Sequence, residues 1–379
     1  MSAKAITGAR ILAAGRWRDD HAAIAENGRV SAIVPSGEIP AGMAVERVGG
    51  GILLPGFVDT QVNGGGGILF NDHPDIAGVT AIAAAHRAFG TTALLPTLIS
   101  DDLDVIARAI AAVEEAIAAG VPGVAGIHIE GPFLNPAKHG IHDVSKFRPL
   151  DASALDLLSS LRGGKTLVTL APECAAPGVI AALVARGVIV AAGHSMASYA
   201  DMERARAEGL SGVTHLYNAM TQLGSREPGL VGAAFDLGLT CGLIVDGHHV
   251  HPASLRAAYR AKGAGELMLV TDAMPCVGSS SDGFMLGNVR IRRESGALRG
   301  PDGTLAGSNL DMAAALRNAV QMIDIELAAA SHMASATPAK FIGLDGELGS
   351  LKPGQRADIV HLNDALMPQA TWIAGERMG

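Results

Sequence analysis

The chain has 379 residues and a formal net charge of −8, with lysines and arginines scattered singly, which excludes the basic face that a nucleic-acid backbone requires. Its start, MSAKAITGARIL, lacks a basic region followed by an apolar stretch and a cleavage site, and no apolar run approaches the roughly 20 residues of a membrane span. A cytoplasmic protein with no membrane partner is expected. Hydrophobic residues make up 49% of the chain but aromatics only 3%, the composition of alanine-rich helices in tight packing. At this length, one large domain and a smaller one are expected. Cys174, Cys241 and Cys276 are odd in number and isolated in apolar, strand-like surroundings, which fits reduced core thiols.

Residues 1–51 read as short strands with turns at Glu26-Asn27-Gly28 and Pro35-Ser36-Gly37. From residue 52 the chain alternates short β-rich segments with alanine-rich helical stretches. Eight strands are predicted, over 52–62, 92–98, 124–131, 166–173, 188–195, 212–219, 239–247 and 267–274. The spacing leaves room for one helix between each pair, so 52–345 is predicted to be a (β/α)8 TIM-like barrel. Residues 284–306 break the alternation and read as a hairpin inserted after the eighth strand. Residues 346–379, with LGSLKPGQRADIVHLN and TWIAGER, return to a strand-like pattern. Together with 1–51 they are assigned to one small β-sandwich domain built from both chain ends.

Polar, ligand-type residues stand at the carboxyl ends of these otherwise apolar strands, and in a barrel those ends form the active-site face. Gln61 and Asn63 end strand one, Glu130 strand three, His194 strand five and His215 strand six; His248 and His249 follow strand seven, and Asp272 lies near the end of strand eight. Buried unpaired groups of this kind cost stability, and a single ion satisfies several at once. Two histidines and a carboxylate from three strands supply the donors of a catalytic zinc site with an open position. Taken one at a time, each has an ordinary reading: a rim or core histidine, an N-cap aspartate at Asp272, a solvated loop residue at Arg226, a loop histidine at His142.

The stretch LLPGFVDTQVNGGGG resembles the first strand of the amidohydrolase superfamily, in which a strand-one aspartate is followed by His-x-His. Here the pair is Gln61 and Asn63. With GIHIEGPFLNPAKHGIH, AAGHS, THLYNAM, GLIVDGHHV, VTDAM and DGTLAGS, the chain resembles the N-acetylglucosamine-6-phosphate deacetylase family from about residue 50 to 310 and on into LGSLKPGQRADIVHLN. The resemblance implies one divalent ion per subunit, zinc by default, on Glu130, His194 and His215. Gln61 and Asn63 take the place of second-metal ligands, since amides bind such ions poorly.

It further implies that Asp272 acts as general base and then acid toward an ion-activated water, and that His142 holds the acetamide carbonyl. Asn218 and Ala219 are implied to contact the sugar phosphate, and His249 its phosphate group, with Arg226 reaching that group across a homodimer interface. Leu305, Ala306 and Gly307 are implied to cover the sugar. The expected reaction is hydrolysis of the acetamide of N-acetylglucosamine 6-phosphate, in amino-sugar catabolism or recycling. The alternatives are the galactosamine isomer, another amide, or a scaffold that has lost catalysis. Phe133 stands where many relatives carry Trp, and Pro275-Cys276 departs from the usual small residues; both bear on the sugar pocket. His128 shares strand parity with Glu130 one layer deeper, which predicts a buried, hydrogen-bonded role.

Overall fold

The computed structural model describes residues 3–378; Met1, Ser2 and Gly379 of the expected small β unit lie outside the described residues. Eight parallel strands form one sheet: β1 (Phe57–Val62), β2 (Thr91–Ile99), β3 (Gly126–Glu130), β4 (Lys165–Leu170), β5 (Ile189–Ala192), β6 (Gly212–Val213), β7 (Thr240–Leu243) and β8 (Leu267–Leu269). Neighbours in sequence are neighbours in the sheet. The helices that alternate with them are α1 (Ile76–Arg87), α2 (Leu103–Ala118), α3 (Ala152–Leu158), α4 (Val179–Ala185), α5 (Tyr199–Ala207), α6 (Gly229–Asp236), α7 (Pro252–Lys262) and α8 (Met312–Asn318). The predicted TIM-like barrel is therefore present. Local chemistry starts the helices: the Asp75 carboxylate accepts from Gly78 N at the head of α1, and Ser198 with Asp201 forms a reciprocal capping box on α5.

The single strand expected over 52–62 is two strands. Ile52–Pro55 pairs with Arg10–Ala13 and with Ile359–Leu362 in a six-stranded sheet, and the barrel strand begins only at Phe57. Gly56 makes the crossing possible, because a Cβ there would stand 2.2 Å from Thr92 Oγ1. A four-stranded sheet from residues 4–47 lies against the six-stranded one. Ile6 and Val30 from the first sheet pack with Ile11, Leu53, Ile359 and Trp372 from the second. Both chain ends thus build one sandwich. Fully buried side chains such as Leu53 and Ile359 each contribute roughly 1.5–3 kcal/mol to holding the ends together.

A three-stranded antiparallel sheet, Gly283–Leu286, Val289–Glu294 and Ala297–Arg299, follows β8. Cys241 and Cys276 are buried free thiols, but Cys174 is exposed: it sits in a short 3-10 turn after β4 rather than in a strand. No helix among the described residues is long and apolar enough to cross a membrane.

Candidate metal centre and catalytic cavity

Several of the expected strand-end residues lie two or three residues beyond their strands. β5 ends at Ala192, β6 at Val213 and β8 at Leu269, and His194, His215 and Asp272 sit in the turns that follow, with φ of 49°, 32° and 52°. Non-glycine residues rarely adopt this left-handed backbone, and it is held where surrounding contacts over-determine it. The His194 turn shows those contacts. Its carbonyl accepts from Asn135 N at 3.0 Å, and the Glu173 carboxylate accepts from Ser195 Oγ at 2.6 Å, Met196 N at 2.6 Å and Asn135 Nδ2 at 2.9 Å.

Glu130, His194 and His215 are buried and converge. Glu130 Oε1 is 3.1 Å from His194 Nε2 and 2.9 Å from His215 Nε2, and the two Nε2 atoms are 3.0 Å apart. His194 Nδ1 lies 2.8 Å from the Lys138 carbonyl, which only accepts, so Nδ1 carries the proton and a neutral His194 turns its Nε2 lone pair toward Glu130. Two acceptors facing each other repel. A cation resolves the conflict, and a ring N–H bound to a carbonyl is the usual support behind a metal-bound histidine. All three donor atoms lie within 4.8 Å of one another, so the cluster fits a divalent ion. Burial alone would raise the Glu130 pKa, but the imidazoles of His194 and His215 against it overcome that and hold the carboxylate well below its usual range.

Asp272 faces this cluster. Its Oδ1 accepts from Asn63 Nδ2 at 2.6 Å and from Gln61 Nε2 at 3.2 Å, while Gln61 Nε2 also reaches Glu130 Oε2 at 3.1 Å. The amide of Gln61 therefore bridges the two carboxylates, while that of Asn63 holds Asp272 alone. Burial, reinforced by the Glu130 charge, pushes the Asp272 pKa up to about 6. Asp272 is not an N-cap: the ends of β8 and β1 meet here through a bridge between Val62 and Ala273, with Asp272 N donating to the Gln61 carbonyl at 3.0 Å. Asp59 closes the same seam from below. Its carboxylate accepts from Thr271 Oγ1 at 2.5 Å, Gln61 N at 3.2 Å and Thr271 N at 3.3 Å, and burial still pushes its pKa up to about 7.

A cavity of about 210 Å³ opens above the cluster and is lined by His142, Asn218, Ala219, His249, Leu305 and Gly307 as well as the groups already described. Ala306 is buried behind its neighbours. The ring of His142 lies 4.3 Å from that of His194, and burial, then the neighbouring His194, hold its pKa well below the usual imidazole range. His249 Nδ1 is 2.7 Å from Asp246 Oδ2. Asp246 also accepts from the backbone N of His248 and His249; burial works against its charge, but these bonds keep its pKa below the ordinary value. Of the expected site residues, Gln61 and Ala306 are buried just behind the cavity wall, whereas Arg226 lies outside the cavity altogether, exposed in the loop after β6.

His128 lies beneath the cluster, fully buried between Thr97 Oγ1 at 3.2 Å and Thr169 Oγ1 at 2.8 Å, and burial lowers its pKa to about 4. Three supporting residues escape the sequence reading. Ser100 follows β2 and meets His142, Glu173 follows β4 and fixes the His194 turn, and Asp59 latches the seam. The strand-end rule, carried to strands two and four, picks out the first two from LLPTLIS and TLVTLAPE.

Residues 52–378 match the amidohydrolase family. The chain belongs to that family. This amidohydrolase is 45% identical over 372 residues to an N-acetylgalactosamine-6-phosphate deacetylase of Shewanella sp. (strain ANA-3), covering 97% of this chain and 94% of that one. It is 37% identical over 344 residues to the N-acetylglucosamine-6-phosphate deacetylase of Homo sapiens, covering 86% and 83%. Among solved structures, the N-acetylglucosamine-6-phosphate deacetylase of Pasteurella multocida superposes with a TM-score of 0.96 at 31% identity over 100% of both chains. A point mutant of the Mycobacterium smegmatis enzyme, solved in complex with N-acetyl-D-glucosamine-6-phosphate, gives 0.91 at 32% identity over 100% of this chain and 99% of that one. The amidohydrolase is accordingly a metal-dependent hydrolase whose Glu130, His194 and His215 form a candidate ion site.

Proposed function

We propose that this amidohydrolase hydrolyses the acetamide of N-acetylglucosamine 6-phosphate, releasing acetate and glucosamine 6-phosphate, as a cytoplasmic enzyme of amino-sugar catabolism. The observation that carries the proposal is one small cavity with an acceptor cluster, a second carboxylate and an imidazole at one end, and His249 with Asn218 among its other walls. One divalent ion on Glu130, His194 and His215, zinc by the donor set, would supply Lewis acidity to the acetamide carbonyl and to the attacking water. A second ion is disfavoured because the amides of Gln61 and Asn63 are already engaged with Glu130 and Asp272.

Asp272 uses its free Oδ2 to take the proton of the water as the carbon–oxygen bond forms. The same carboxyl then gives the proton to the nitrogen as the carbon–nitrogen bond breaks. His142 donates a hydrogen bond to the carbonyl oxygen while negative charge builds there. With Nδ1 held by Asp246, His249 turns the Nε2 edge of its ring to the phosphate. Asn218 and Ala219 hold the sugar phosphate, and Leu305, Ala306 and Gly307 cover the ring. Arg226 is assigned to the phosphate of a neighbouring subunit in a homodimer; its exposure and that of Leu223 beside it, at 60%, support a covered surface there.

A second reading has its own support. The Shewanella relative at 45% identity acts, by its name, on the galactosamine isomer, which differs at C4 of the ring. Acetate release from both sugar phosphates, and from unphosphorylated N-acetylglucosamine, separates the readings. The proposal predicts turnover of the gluco phosphate and loss of efficiency without the phosphate; preference for the galacto phosphate would transfer the assignment to the isomer, and equal rates without phosphate would remove it. A non-catalytic scaffold predicts no release from any of them.

A further inference from the structure

Ser100 is buried at the end of β2 and meets one atom of His142 twice. Its backbone N donates to His142 Nδ1 at 3.3 Å, and its Oγ lies 2.8 Å from the same nitrogen. A peptide N–H can only donate. Nδ1 therefore offers a lone pair, and a neutral imidazole in this setting carries its proton on Nε2. The hydroxyl, facing the same lone pair, donates as well. Nε2 has no hydrogen-bond partner among the described residues, and His142 lines the cavity beside Glu130 and Asp272.

The neighbours preserve this contact. Asn71 holds the strand end, with its Oδ1 accepting from Ile99 N at 3.2 Å and its Nδ2 donating to the Ile99 carbonyl at 3.0 Å. Gly131, at φ +81°, leaves the space that the hydroxyl fills: a Cβ there would stand 2.3 Å from Ser100 Oγ. Inverting the tautomer of His142 would set two donors against Nδ1–H and turn a lone pair toward the cavity. That lone pair would repel the carbonyl oxygen on which negative charge develops.

We infer that Ser100 is a positioning residue that presents His142 to the substrate as an Nε2–H donor with fixed ring orientation. The inference rests on the role given to His142 above. Its test is a double-mutant cycle on the metal-loaded enzyme with Ser100→Ala, His142→Ala and the double variant, read as kcat and KM, alongside ¹⁵N-histidine NMR. Removing an oxyanion donor costs about 10²–10³ in kcat, which is expected for His142→Ala. Ser100→Ala is expected to lower kcat about 2- to 10-fold, the worth of one neutral hydrogen bond, with KM held. In the His142→Ala background the serine change should have no further effect. The wild-type spectrum should show His142 protonated on Nε2, with Nδ1–H signal growing in Ser100→Ala. A large loss in His142→Ala beside an unchanged Ser100→Ala, an additive double variant, or Nδ1–H in the wild type would overturn the inference alone. Wild-type kcat in His142→Ala would overturn the role of His142, and the inference with it.

Discussion

Asn63 Nδ2 donates to Oδ1 of Asp272 across 2.6 Å, and Gln61 Nε2 joins it on the same oxygen at 3.2 Å. Both amide donors thus occupy one carboxylate oxygen and leave the other to work. Asn63→Ala is expected to lower kcat roughly 10- to 100-fold, the range for a hydrogen bond to a charged group. Bound metal should stay at the wild-type ratio, because the asparagine touches none of Glu130, His194 and His215. Kinetics paired with elemental analysis checks both halves; unchanged kcat would separate Asn63 from catalysis.

The pH profile should show the same carboxyl. Burial, then the charge of Glu130, raises Asp272 to about 6, and only the ionised form accepts a proton. Efficiency is therefore expected to fall as pH drops through about 6, and a bound cation moves that limb to lower pH, never to higher. Asp272→Asn should cost about 10²–10⁴ in kcat. A pH–rate profile that is flat from about pH 4 to 8 in the wild type, or turnover undiminished in the variant, would remove Asp272 from the reaction.

Stability should respond to pH through Asp59. Its folded pKa of about 7 lies above the ordinary aspartate value of 3.8, so the folded chain holds this proton more tightly than the unfolded chain. The contribution is complete below about 4 and is lost as pH rises through about 7. Asp59→Asn should remove that part of the slope, since the amide oxygen still accepts from the two backbone N–H groups. Thermal midpoints of wild type and variant between about pH 4 and 8 make the comparison; parallel curves would show that Asp59 does not titrate in this window.

Phosphate recognition is testable apart from chemistry. His249→Ala and Arg226→Ala should each raise KM for the sugar phosphate roughly 10- to 100-fold, as expected when a charge-assisted contact is lost, and change little for the unphosphorylated sugar. Mixing Arg226→Ala subunits with Asp272→Asn subunits tests whether the arginine acts in trans. Recovery of phosphate-dependent turnover is expected; no recovery in mixed dimers places Arg226 elsewhere.

The barrel was legible because its strands alternate with alanine-rich helices at even spacing, and Glu130, His194 and His215 were legible as polar interruptions at strand ends. The crossing at Gly56 was not, since Ile52–Pro55 and Phe57–Val62 share one apolar pattern and only the contact with Thr92 separates them. Ser100 and Glu173 escaped because they contact other side chains rather than the cavity centre. A sequence shows that a residue is polar but not that its partner lies 42 positions away, as His142 does from Ser100. Asp59 was hidden by the same limit, since its partner Thr271 is 212 positions distant.

The most direct test of the account is acetate released from N-acetylglucosamine 6-phosphate by the purified protein before chelation, after it, and after return of a divalent ion. The account predicts release that disappears on chelation and returns fully with one equivalent of ion per subunit. Release indifferent to chelation, or none from this substrate at any loading, would contradict it.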